Sequence, residues 1–360
     1  MKWILVMIWF VSEATFIALI GFFGGILLGL AARIGRFCTL GAIEDFIYSS
    51  SENRLRMWGL AIGLAIIGTF SFSSFGLINI PEIHYVNSAW NPMASIVGGL
   101  MFGYGMALCG NCGYGALARL GGGDLRAFLI VIIMGISTYI VMSGPLAPLR
   151  IMIFEVGLKD PDRALGFADT IALYFRISET LAGILIGMII VVIALAQRNF
   201  LKDFSSLFWS MVVAMAIISG WIGTTWVSSN GFEPWRIGSH TFAAPVGETI
   251  QYAMNGSAIG LSFGIGSVIG VIFGAFLGSV IKGHFRWEAC EDPRELRRQI
   301  LGAAIMGAGA VIAVGCSVGQ GLTAFSILSF SAPITLIAIY FGTRFGLKQL
   351  IEGLHKNKFY

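Results

Sequence analysis

Two cysteines in near-identical frames carry the most chemistry in this chain. Gly103-Tyr104-Gly105 leads to Cys112-Gly113-Tyr114-Gly115, and Gly307-Ala308-Gly309 leads to Cys316-Ser317-Val318-Gly319, a shift of 204 residues between the two thiols. Glycine at such turns lets backbone N–H groups approach a ligand without a Cβ in the way. A polar neighbour accompanies each thiol: Asn111 beside Cys112, Ser317 and Gln320 beside Cys316. The candidate binding residues are therefore Asn111, Cys112, Gly113, Gly115, Cys316, Ser317, Gly319 and Gln320. Thiols are soft groups that donate and accept hydrogen bonds weakly, and helix ends aimed at the same point favour an anion. Cys38, after Arg33-Ile34-Gly35-Arg36-Phe37, supplies a third thiol. Together the three make an expected column of weakly polar sites.

Each thiol also has a plainer reading, since a free cysteine is most often a small buried hydrophobe. Cys109-Gly110-Asn111-Cys112 has C-x-x-C spacing, but no βαβ context surrounds it. Cys109 corresponds to Ala313 in the second frame and is expected to pack. Cys290, among Glu288, Glu291 and Asp292, is expected to be incidental. His84, His240, His284 and His355 are scattered and make no metal site. No cofactor motif is present. Glu13, Arg176, Glu179 and Glu248 lie in or near apolar stretches, where charge is costly, and are expected at helix ends or in a buried pair.

The elements that must position these residues are set by composition. Hydrophobic residues make up 56% of the 360-residue chain and charged residues 12%, against roughly 25% charged in a soluble domain. Mean hydropathy is +0.83. Lipid must therefore solvate most of the chain, as one integral domain over residues 1–360. The 48 glycines suit helices packed backbone to backbone. Five cysteines, an odd number in apolar surroundings, argue against a secreted disulfide framework. The net charge of +4 forms no basic stripe, which excludes a nucleic-acid partner. The apolar N-terminus, Met1 to Val6, has no small-residue cleavage site after it and is expected to remain in place.

Apolar runs bounded by charge place spans near 14–33, 57–78, 127–143, 171–196, 207–227, 258–281 and 331–346, with a partial helix at 3–12. The glycine-rich segments 95–118 and 299–322 are expected to stop inside the membrane. Lys and Arg gather at 33–56, 198–202, 282–298 and 344–358 and are absent from 79–94, which predicts a cytoplasmic side for the former. Looser echoes link Gly25 and Gly29 to Gly274 and Gly278. They suggest a first half at 14–145, connecting spans at 146–257 and a second half at 258–350. With 57–78 as one odd span, the two cysteine turns are expected to enter from opposite faces and meet near the midplane. The Cys112 turn is then reached from outside and the Cys316 turn from the cytoplasm. Non-helical backbone at that depth requires a polar interior.

Arg36-Phe37-Cys38 after a glycine-rich first span, with the two Gly-x-Gly to cysteine frames, resembles the YeeE/YedE family of sulfur-compound transporters over roughly 14–140 and 258–350. The resemblance implies an all-α, polytopic protein of the cell inner membrane, with about nine transmembrane helices, short re-entrant helices and two pseudo-symmetric inverted halves. It implies uptake of thiosulfate or a related sulfur anion, passed along the thiols of Cys38, Cys112 and Cys316 without covalent capture. It also implies a separate TusA-like sulfur-carrier protein as partner. Asn111 stands where the family commonly has glycine, so a different sulfur or selenium species is an alternative substrate. Two readings from other classes remain beside it: a membrane thiol oxidoreductase using Cys109 and Cys112, and a soft-metal transporter.

Overall fold

The computed structural model describes residues 12–87, 89–154, 166–288 and 292–352; the expected helix at 3–12 (Ser12 apart), the charged run 159–163 and Cys290 lie outside them. Among the described residues all regular structure is helical, and an isolated β-bridge joins Asp124 to Glu288. The principal helices are α1 (Glu13–Arg33), α2 (Thr39–Tyr48), α3 (Asn53–Ser74), α4 (Pro92–Cys109), α5 (Gly113–Gly121), α6 (Leu125–Met142), α7 (Phe167–Phe175) and α8 (Glu179–Leu195). They are followed by α9 (Phe204–Asn230), α10 (Ala243–Asn255), α11 (Phe263–Ile281), α12 (Pro293–Ile312), α13 (residues 317–326, with a π-helical centre at Gly319–Ala324) and α14 (Ser331–Glu352).

Local chemistry sets many of the boundaries. Ser12 caps α1, whose first turn carries Glu13 and last turn Arg33, in keeping with the helix dipole. Asn91-Pro92 and Asp292-Pro293 open α4 and α12 alike, each side chain accepting from the backbone N–H groups just inside the helix. Proline at that first position forfeits a donor that would be unpaired in any case.

Among the described residues six helices are long and apolar enough to cross a membrane: α1, α3, α4 running on into α5, α6, α9 and α11. The bent pair α7 and α8 raises the number to seven if it forms one span. This is fewer than the expected nine, because α12 opens with Arg294, Glu295, Arg297 and Arg298 and α14 carries Arg344 and Lys348. The predicted span at 171–196 is broken, with a 114° bend between α7 and α8. Arg176 ends α7 in the left-handed region at φ 55°, and Ser178 restarts the chain by accepting from Leu181 N. Glu13 sits at a helix end, as expected, and accepts from Phe232 N and Trp235 Nε1.

The order of helices repeats. The succession α1 to α6 recurs as α9 to α14, with α7 and α8 between. Packing follows the same correspondence: α1 lies on α11 while its counterpart α9 lies on α3, α4 lies on α14 while α6 lies on α12, and α4 and α12 lie on each other. In that central pair Gly98 meets Gly309 and Ala313, and Gly105 meets Gly302 and Met306, so the two helices run antiparallel and the halves are inverted.

The second succession of helices starts with Phe204–Asn230. The echo of Gly25 and Gly29 in α11 has another cause. Gly21, Gly25 and Gly29 pack on the α11 backbone, and Gly266, Gly270 and Gly274 pack on the carbonyls of Ala18, Phe22 and Ile26. Both helices need small residues for that approach, so they look alike as partners without being equivalent in the repeat.

One face of the molecule gathers Arg33, Arg54, Arg56, Arg119, Arg126, Arg286 and the start of α12, linked by Arg126 to Asp124, Glu288 and Glu295 and by the Arg33 bond to the His284 carbonyl. Residues of 33–56 and 282–298 thus share a face, called the basic face.

Candidate functional site

Cysteine caps the short helix at both breaks. α4 ends at Cys109, Gly110 turns the chain in the left-handed region at φ 71°, and extended Cys112 starts α5 with its Sγ accepting from Gly115 N at 3.3 Å. In the second half Val314 at φ 57° and Gly315 at φ 156° make the turn, and Cys316 Sγ accepts from Gly319 N at 3.4 Å. Both sulfurs are fully buried. The third thiol, Cys38, is half-buried in extended backbone before α2, after left-handed Arg36 and after Phe37, which stacks on Trp58 at 4.7 Å.

The structure brings the three predicted thiols together. Cys112 is within electrostatic reach of both Cys38 and Cys316, so it neighbours the other two. Ser317 is buried beside Cys112, and its hydroxyl completes no hydrogen bond of ordinary geometry. Tyr114 walls the thiols, donating to the Leu28 carbonyl at 2.5 Å and stacking on Phe242 at 5.4 Å. Gly113 lies against Met134. Gly115 is close-packed, since a Cβ there would stand 3.3 Å from Asn111 Oδ1 and 3.6 Å from Cys112 Sγ.

Gln320 plays a different part from the one its position in sequence implied. Its Nε2 donates to the carbonyls of Ala313 and Val314 at 2.8 and 3.1 Å, and its Oε1 accepts from Ser331 at 3.0 Å. The side chain satisfies carbonyls that the end of α12 leaves unpaired and holds the turn in shape. Cys109 donates its thiol to the Gln299 carbonyl at 3.3 Å. That bond ties the buried thiol to α12.

A cavity of about 650 Å³ opens the first turn to the basic face. Cys38, Gly110, Asn111 and Gly115 line it, together with Arg33, Arg36, Arg54, Arg119 and Arg286 and with the carboxylates Glu44 and Glu288. Arg33 donates to Ser279 Oγ at 2.6 Å, Arg54 pairs with Asp45 and Arg286 with Glu288. Arg36 and Arg119 have no carboxylate within ion-pair distance among the described residues. Burial holds the Glu44 carboxyl above its ordinary pKa, with Arg119 pulling the other way. Guanidinium groups that lack a protein partner are suited to bind an oxyanion through paired N–H donors.

The two turns open in opposite directions. α4 starts on the face opposite the basic one, and its 18 residues extend about 27 Å through a hydrocarbon layer of about 30 Å. Its break opens to the basic face. α12 enters from the basic face, and Cys316 comes to lie beside Thr241, 3.7 Å from its Oγ1, and Tyr85.

Sequence reasoning missed Thr241, Tyr85 and Arg119. A signal for Thr241 was present: Gly238-Ser239-His240-Thr241 stands 203 residues after Gly35-Arg36-Phe37-Cys38, nearly the shift that relates Cys112 to Cys316.

The comparisons agree with the geometry. The family model for sulphur transport, the YeeE/YedE family, matches residues 34–345. A thiosulfate transporter, TsuA, of Escherichia coli (strain K12) is 27% identical over 349 residues, covering 89% of this chain and 91% of that protein. TsuA of Spirochaeta thermophila is 23% identical over 328 residues, covering 89% and 96%.

Proposed function

The chain belongs to the sulphur transport family, and we propose that it is a permease for thiosulfate or a closely related sulfur anion in the cell inner membrane, without catalytic activity of its own. The relatives that match nearly end to end are named thiosulfate transporters. The observation that carries the reading is the convergence of Cys38, Cys112 and Cys316 at two helix breaks inside an apolar helical body.

In this reading Arg36 and Arg119 concentrate the anion in the basic cavity, and the ion then passes along Cys38, Cys112 and Cys316. Asn111, Ser317 and the N–H groups near Gly113, Gly115 and Gly319 supply further polar contacts. Gln320 keeps its neighbours in place. Thiols hold an anion weakly, and conduction needs sites that admit the ion yet let it leave. No covalent bond forms. The crowding of Lys and Arg on one face supports a cytoplasmic position for that face, where a TusA-like sulfur-carrier protein would receive the cargo.

The test is uptake of ³⁵S-thiosulfate in a host lacking its own sulfate and thiosulfate importers. Expression of this chain is expected to restore uptake and growth on thiosulfate alone. Uptake at the level of the empty host would overturn the reading.

A further inference from the structure

The second half lacks a thiol at the place where the first half has Cys38. The succession of helices puts the backbone before α10 in the role of the backbone before α2. Gly238-Ser239-His240-Thr241 is then the counterpart of Gly35-Arg36-Phe37-Cys38, with Thr241 in the position of Cys38. The surroundings agree with the count. Cys38 is the neighbour of Cys112, the capping thiol of its own half, and Thr241 Oγ1 lies 3.7 Å from Cys316 Sγ, the capping thiol of its own half.

Around Thr241 the structure is built closely. Its hydroxyl is paired with the phenol of Tyr85. Gly319, whose N–H bonds Cys316, is the residue that admits both: a Cβ there would stand 2.5 Å from Thr241 Oγ1 and 3.4 Å from the Tyr85 oxygen. The segment is anchored from behind, with Thr323 donating to the His240 carbonyl at 2.6 Å and Ser239 to the Ile217 carbonyl at 2.7 Å. Both side chains remain partly exposed, on the side away from the basic cavity. A Thr241 to Cys316 distance of 3.7 Å leaves no room for an ion between them, so an ion that touches one is within reach of the other.

We propose that Thr241 and Tyr85 form the binding station beyond Cys316, the hydroxyl counterpart of Cys38, and that this station takes the oxygen end of a sulfur oxyanion. The inference rests on the transport reading above. Its chemistry follows from the donors: hydroxyl O–H groups bond an anionic oxygen more strongly than a thiol does. The line then has a hydroxyl pair at one end, thiols in the middle and a thiol beside free guanidiniums at the other end.

The experiment is ³⁵S-thiosulfate uptake in proteoliposomes containing the full chain, comparing wild type with Thr241→Val, Thr241→Ser and Tyr85→Phe. Thr241→Val keeps the shape and removes the hydroxyl. It is expected to raise KM about ten-fold, the size of one lost hydrogen bond to a charged group, whereas Thr241→Ser stays within about two-fold of wild type. Tyr85→Phe is expected to fall between them. Thermal unfolding in detergent separates binding from folding, since a purely structural threonine would lower the melting temperature and leave KM unchanged. As a second readout, Thr241→Cys supplies a thiol for a membrane-impermeant maleimide added from the face opposite the basic one, and thiosulfate should slow its modification. Wild-type KM in Thr241→Val, or labelling indifferent to thiosulfate, would overturn the station while leaving the transport function intact. Failure of the unmodified chain to take up thiosulfate would overturn the transport reading and this one together.

Discussion

The two cysteine turns share a backbone frame and differ in what faces it. At the first, Cys112 accepts from the N–H three residues on, and the turn opens to a wide cavity in which five arginines meet two carboxylates. At the second, Cys316 accepts in the same way, but Thr241 and Tyr85 press on it, and Gln320 ties the turn to the helix before it. The frame follows from a requirement common to both halves: a helix that stops in an apolar layer needs its exposed N–H and C=O groups met. The surroundings respond to what each half does alone. One end is arranged to gather charge, the other to fit a shape.

The largest effects should ignore this difference. Cys112→Ala and Cys316→Ala are each expected to reduce thiosulfate uptake to background with membrane insertion unchanged, as read by ³⁵S uptake beside quantitative blotting of the membrane fraction. Wild-type transport in either variant would refute a line of thiols. The glycines three residues on should separate the turns. Gly319→Ala drives a Cβ against Thr241 and is expected to cost about 1–3 kcal/mol through overpacking, with loss of uptake. Gly115→Ala meets its neighbours at 3.3 and 3.6 Å and should be tolerated. Equal melting temperatures for the two variants would show that the turns are packed alike.

How much of this was legible beforehand divides along the same line. Cys112, Cys316 and their glycines stand out because turn chemistry is local and written in consecutive residues. The spans α1, α3, α6, α9 and α11 were legible from apolar run lengths. The part of Gln320 was not, since its partners Ala313, Val314 and Ser331 are fixed only once the turn folds back. Nor was the side to which each turn opens, which depends on how far α4 and α12 run before they break. Nor could the sequence separate contact partners, Gly25 with Gly270 and Gly29 with Gly274, from positions equivalent in a repeat.

Smaller effects should appear only at the basic end. Arg36→Gln and Arg119→Gln are each expected to raise KM about five-fold at low salt, and the effect should fade as added salt screens the charge. A salt-independent change would mean that these side chains act through packing. Smallest is the influence of Glu44, whose carboxyl is held above its ordinary pKa by burial and faces Arg119, Arg54 and Asp45. Its pKa is raised, so acidification neutralises it earlier than an ordinary glutamate. The cavity then loses a negative charge and KM for the anion should fall from neutral to mildly acid pH. Glu44→Gln should flatten that part of the profile; an unchanged profile would remove Glu44 from the account.

The seam between α1 and α11 has a consequence for how the cargo crosses. Gly266, Gly270 and Gly274 rest on the carbonyls of Ala18, Phe22 and Ile26, and Gly21, Gly25 and Gly29 rest on backbone in return. At these glycines the joint is backbone against backbone, and a slide of one residue would push Cβ atoms into backbone. In the proposed reading this joint holds still during a crossing, while the ion and the side chains at the turns move. The expected outcome is a flux that rises gently with temperature and is not accelerated by cargo on the far side, as in a selective pore; a steep temperature dependence or acceleration by cargo on the far side would mean that the walls move.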